Sequence, residues 1–114
     1  MTFKLIIAAV KPSVTDRIVA AAKAVGATGA TIIPARGTGA HEAKTFFGLT
    51  LEAQTDVVLF LLPKERVDAV LSAIVEKGKL DQPGVGVAFV MPVDAAAGLE
   101  SQLEKASRSH EGPP

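Results

Sequence analysis

The chain contains no cysteine, no tryptophan and no tyrosine, and only two histidines among its 114 residues. Without cysteine there is no disulfide framework, no thiolate nucleophile and no cysteine-ligated zinc. Without tryptophan or tyrosine the stacking platforms that hold single-stranded nucleic acid are missing. Lys and Arg together number 12, as do Asp and Glu, so the formal net charge is zero. A basic footprint for nucleic acid is therefore absent, and no nucleic-acid partner is expected. No apolar run is long enough to span a bilayer, so direct membrane insertion is not expected either. The apolar stretch Phe3–Val10 carries Lys4 and is followed by Lys11, which reads as a strand and not as a targeting segment. The spacing holds no Ser-His-Asp set, no phosphate loop of the Walker type and no HExxH. His110 stands in the polar end of the chain. No catalytic residue and no metal ligand set is nominated, and a cytoplasmic, non-enzymatic protein is expected.

What is present is about half apolar and punctuated at regular intervals, which suits one domain. Phe3–Val10 reads as a central strand, apolar on both faces. A helix follows, capped by Ser13 or Thr15 with Pro12 outside it, with Ile18, Val19, Ala22 and Val25 at helical spacing and Gly26 as its stop. Thr15-Asp16-Arg17 reads as the start of that helix. Gly29–Ala35 is a second strand, with Pro34 marking an edge or bulge. Residues 37–53 lack a period and read as a long loop, a length that compact domains reserve for function. Asp56–Leu62 is a third strand, Lys64–Glu76 a helix with Val67, Val70, Leu71, Ile74 and Val75 on one stripe, and Val87–Val93 a fourth strand. Asp94–Gly98 suits one helical turn. The order β-α-β-β-α-β predicts a ferredoxin-like α+β fold, an antiparallel sheet with two helices on one face, spanning residues 1–99. Residues 100–114 read as a polar, flexible tail. Strands apolar on both faces predict association through the sheets.

The densest local signal is Gly26-Ala-Thr-Gly-Ala-Thr31 leading through a strand into Gly37-Thr-Gly39. A second turn, Gly84-Val-Gly86, lies at another strand boundary. Glycine turns let a backbone approach a ribose or phosphate and expose N–H donors. Arg36, just before the first turn, suits a phosphate or a small anion such as bicarbonate; an inter-subunit ion pair with Glu42 or Asp56 is the alternative. Lys77 and Lys79 beside Gly78 also suit an anion. In the loop, Lys44-Thr-Phe46-Phe47-Gly-Leu49 is either packed on a neighbouring subunit or docks a partner.

These residues resemble the PII signal-transduction superfamily from Lys4 to about Gly98. The resemblance rests on Gly26-x-Thr28-Gly29-x-Thr31, Gly37-x-Gly39, the segment around Pro63, Val67 and Asp68, Gly78-Lys79, Gly84/Gly86 and Phe89–Val93. It implies a homotrimer that binds an adenine nucleotide in clefts between subunits. By resemblance, Thr28 meets the adenine edge, Gly37, Thr38 and Gly39 lie along the ribose and loop base, and Gly84, Val85 and Gly86 offer N–H groups to phosphate. Gly29 is counted with these nucleotide-binding residues, and Arg36 and Lys79 join them as cations that partly compensate for the family's missing ones. The loop at about 39–54, with His41, Lys44, Phe46 and Phe47, matches the family's T-loop, whose partner is a membrane transporter or metabolic enzyme. Several positions depart from the family pattern. Val87 replaces the lysine after the second glycine, Gly98 and Glu100 fall where two arginines clamp a triphosphate, and an apolar residue near Val57 replaces a lysine that holds 2-oxoglutarate. His41 stands near the glutamine that places magnesium, and no tyrosine is available for uridylylation. The expectation is a PII-like, non-nitrogen-sensing member that favours AMP, ADP or cyclic AMP over ATP. A structural trimer with a decayed site is one alternative. A bicarbonate- or metal-responsive trimer using Arg36, His41 and Glu42 is the other.

Overall fold

The computed structural model describes residues 2–36, 45–46, 49–50 and 54–98. Strand β1 (Phe3–Val10) is followed by helix α1 (Pro12–Ala24) and β2 (Thr31–Arg36). A two-stranded pair, β3 (Thr45–Phe46) with β4 (Leu49–Thr50), lies inside the segment read as a loop. Then come β5 (Gln54–Pro63), a 3-10 turn (Lys64–Arg66), α2 (Val67–Gly78) and β6 (Gly86–Pro92). The main sheet has the order β2-β5-β1-β6, and every neighbouring pair is antiparallel. This is the ferredoxin-like arrangement that the element order predicts.

Side-chain alternation divides the sheet into two faces. On the helix side, Phe60, Ile6 and Val90 form one row, and Val58, Ala8 and Ala88 the next. Val14, Ile18 and Ala22 of α1 and Val67, Val70 and Ile74 of α2 close over that face and are buried with it. The opposite face is just as apolar: Leu61–Leu5–Met91, Leu59–Ile7–Phe89 and Val57–Ala9–Val87 run across β5, β1 and the edge strand β6. No described helix covers it. Ile33 is 44% exposed, Phe89 40% and Met91 45%.

Helix α1 starts earlier than its capping signals suggest. Pro12 occupies its first turn, Lys11 is the N-cap with no side-chain cap bond, and no acid lies in the first turn. Proline's fixed φ suits that position. Thr15 is therefore inside the helix, and its hydroxyl serves another purpose, described below. Helix α2 runs two residues past its expected end. A Cβ on Gly78 would stand 2.7 Å from Ile18 Cγ2, so glycine here lets the two helices touch. The left-handed stop falls one residue later, on Lys79 at φ 57°, with the Leu80 N–H donating to the Val75 carbonyl. Gly78 is thus the last residue of α2 and a helix-packing position. Residues 94–98 form no helical turn and end in a bend at Gly98.

Candidate functional site

The chain leaves α1 through Gly26 and reaches the edge strand β2 along Ala27–Ala30. That passage forms one wall of an open groove of about 450 Å3. Thr28, Gly29, Ala30 and Thr31 line the wall, while Leu5, Leu59 and Leu61 from the uncovered sheet face make the floor. The chemistry follows from the parts: a flat apolar floor, two hydroxyls and the polar backbone of an irregular segment, with no charged side chain. A planar, hydrogen-bonding ring suits such a surface. Gly29 leaves the groove open, since a Cβ there would meet nothing within 4 Å.

The second glycine turn is built differently. Gly84 has φ +78°, and the Val85 carbonyl accepts the Lys11 N–H at 3.2 Å. Gly86 begins β6 opposite Val10. A Cβ on Gly86 would lie 2.7 Å from the Ala9 carbonyl oxygen and 2.7 Å from Val10 Cγ1. Its lack of a side chain is therefore required by packing within the sheet, whatever else the turn does.

The strand register fixes how far apart these pieces stand. Thr31 is level with Leu59, Ile7 and Phe89, whereas Gly86 is level with Val10 and Asp56. Three strand spacings across and three residues along separate them, roughly 17 Å at ordinary sheet dimensions. Thr28 and Gly29 precede Thr31 and approach β2 from the far end. Arg36, by contrast, closes β2 at the Gly86 end, paired with Gln54 and exposed. Within one chain the structure thus brings Arg36 and Gly84–Gly86 to one end of the sheet and Thr28–Gly29 to the other. Lys79 belongs to neither group; it lines a separate groove of about 480 Å3 with Ser72, Val75, Glu76, Asp81 and Gln82. Gly37, Thr38, Gly39, His41, Lys44 and Phe47 lie outside the described residues, and Phe46 is described only as part of β3. Val57 and Val87 stand on the uncovered face, flanking Ala9, and put no cation there.

Two features escape a reading by motif. The groove floor, Leu5 with Leu59 and Leu61, looks like ordinary strand core in the sequence; only the odd–even alternation along β1 and β5 signals that these residues face away from the helices. The other is Asp56, the single charged residue of β5. It accepts a hydrogen bond from the Thr15 hydroxyl at 2.6 Å. It is thereby tied to α1 on the helix side. Among the described residues, no group of three or more His, Asp or Glu side chains could hold a metal ion, and no helix is long and apolar enough to cross a membrane.

The fold is ferredoxin-like, with an open groove lined by uncharged residues beside an apolar sheet face that no described helix covers. A family model described as Nitrogen regulatory protein P-II matches residues 3–102, and the chain belongs to that PII family. Its members are regulatory signal transducers, not enzymes, and this chain is one of them. Among solved structures, it is similar to the crystal structure of Arabidopsis thaliana PII bound to citrate, with a TM-score of 0.63 and 25% identity. That likeness covers 81% of this chain and 78% of the plant chain. No match was found among curated proteins.

Proposed function

We propose that this protein is a PII-like regulator outside nitrogen sensing, working as a homotrimer in the cytoplasm. It binds an adenine nucleotide, AMP, ADP or cyclic AMP in preference to ATP, in clefts between subunits. The observation that carries the reading is the groove between Thr28–Thr31 and the Leu5, Leu59, Leu61 floor, open toward the uncovered face of the sheet. The base and ribose lie there. The phosphate donors Gly84, Val85 and Gly86 belong to the neighbouring subunit, because about 17 Å within one chain exceeds the length of a mononucleotide, while Arg36 and Gly37–Gly39, which leave the opposite edge strand, lie along the ribose and loop base. Packing of the apolar faces against one another brings the two half-sites together.

The absence of a cation at Val57, Val87 and Gly98 supports selection for fewer phosphates and against 2-oxoglutarate. Nucleotide binding orders or releases the segment 39–54, a switch of the order–disorder kind. That segment, through His41, Lys44, Phe46 and Phe47, then controls a partner, a membrane transporter or a metabolic enzyme. The Arabidopsis relative was crystallised with citrate, which favours one second reading: an anion such as bicarbonate held by Arg36.

Calorimetric titration with AMP, ADP, ATP and cyclic AMP, with and without magnesium and bicarbonate, tests both. One nucleotide per subunit, with ADP or AMP tighter than ATP, is expected. Binding of bicarbonate alone, with no nucleotide bound, would replace the nucleotide reading by the anion one.

A further inference from the structure

On the helix side of β5, a carboxylate stands where the neighbouring positions Val58, Phe60 and Leu62 are buried core. Asp56 is held there by one short bond from Thr15, a residue only 4% exposed in the first turns of α1. A hydroxyl bonded to a carboxylate is among the stronger pairs a protein uses. Its position in the fold suggests what it is for. Asp56 and Gly86 are opposite the same residue, Val10, on either side of β1. Immediately after Val10 the chain turns into α1 at Lys11. The Lys11 N–H donates to the Val85 carbonyl at 3.2 Å, and the Lys11 carbonyl accepts from Val14 at 2.9 Å. The corner between β1 and α1 therefore touches the second glycine turn directly, and the bond between Thr15 and Asp56 fastens that corner to the sheet.

We propose that Thr15 and Asp56 are positioning residues for the phosphate-side turn. They pin the start of α1 on β5, so that Lys11 holds Val85 and the backbone N–H groups of Gly84–Gly86 keep one arrangement. The proposal rests on the reading that this turn meets phosphate. Loss of the pin lets the corner shift, the long Lys11–Val85 bond opens, and the turn must be ordered again by each ligand. Preorganised donors bind better than donors that must be ordered. The groove at Thr28 stands at the other end of the sheet and does not depend on the pin.

The test is a comparison of ADP with adenosine by calorimetry on the intact protein and two variants. Thr15→Val keeps the shape and removes the hydroxyl. It is expected to weaken ADP about tenfold, the scale of one hydrogen bond to a charged group, and to leave adenosine within about twofold of wild type. Thr15→Ser restores the hydroxyl and the ADP affinity. Amide exchange supplies a second readout: Lys11 exchanges faster in Thr15→Val, while Ile6 and Phe60 are unchanged. Equal losses for ADP and adenosine, or an unchanged ADP affinity, overturn the positioning role. If Thr15→Val does not fold, Asp56→Asn gives the same split at about threefold. Failure of the wild type to bind ADP, AMP or cyclic AMP sinks the nucleotide reading itself, whereas wild-type binding with an unaffected Thr15→Val sinks only the positioning role.

Discussion

Phe60 and Phe89 lie on adjacent partners of β1, opposite Ile6 and Ile7, and meet opposite fates. Phe60 is fully buried under the helices, while Phe89 is 40% exposed on the other face. The same contrast holds row by row: both faces of the sheet are built from valine, isoleucine, leucine and phenylalanine, but the described residues cover only one of them. An apolar face of this kind is a contact surface when it is not a core. The helix face therefore holds the protomer together, and the bare face is the surface through which the proposed function has protomers join and complete the ligand site.

The contrast can be sharpened by substitution. Phe60→Ala removes the largest buried side chain of the helix face and is expected to cost about 3–5 kcal/mol in denaturant unfolding at fixed protein concentration. A loss below about 1 kcal/mol would mean that the helix face is not the protomer's core. Gly86→Ala drives a methyl group against the Ala9 carbonyl and Val10. It should cost about 1–3 kcal/mol even without ligand, so its effect on ligand binding is inseparable from its effect on the sheet. Lys79→Gly relieves a left-handed lysine and should stabilise by about 1 kcal/mol, seen as a higher denaturation midpoint with an unchanged slope. Gly29→Ala is the smallest change for the fold, within about 0.5 kcal/mol. It places a methyl at the groove wall and should weaken ADP about tenfold, whereas an unchanged affinity would remove that wall from the site.

Much of this architecture is readable in the residues themselves. The apolar run Phe3–Val10 and the stripe Val67, Val70, Ile74 give their elements almost to the residue, because period 2 and period 3.6 are enforced by burial. Pro34 marks β2 as an edge strand, which it is. The misreadings have local causes. Thr15 resembles a cap because threonine often caps, but its hydroxyl reaches across 41 residues of sequence to Asp56, and no local pattern carries that. Gly78 resembles a turn glycine because the contact that requires it, Ile18, belongs to the other helix. Gly29 and Gly86 look alike in the sequence, yet the first faces open space and the second is wedged against β1. A motif reports residue types and spacing; which neighbour a residue meets depends on strands and helices far away in the chain.

The central claim is that the groove works only when a second copy supplies the glycine turn. Phe89→Asp tests it most directly, because Phe89 lies on the bare face but does not line the groove. Sedimentation and ADP titration should be run on the same preparation. The account predicts a folded monomer, with the helix-face core intact, that no longer binds ADP, beside a wild-type trimer that binds one ADP per chain. A folded Phe89→Asp monomer that binds ADP as tightly as the wild type would contradict it.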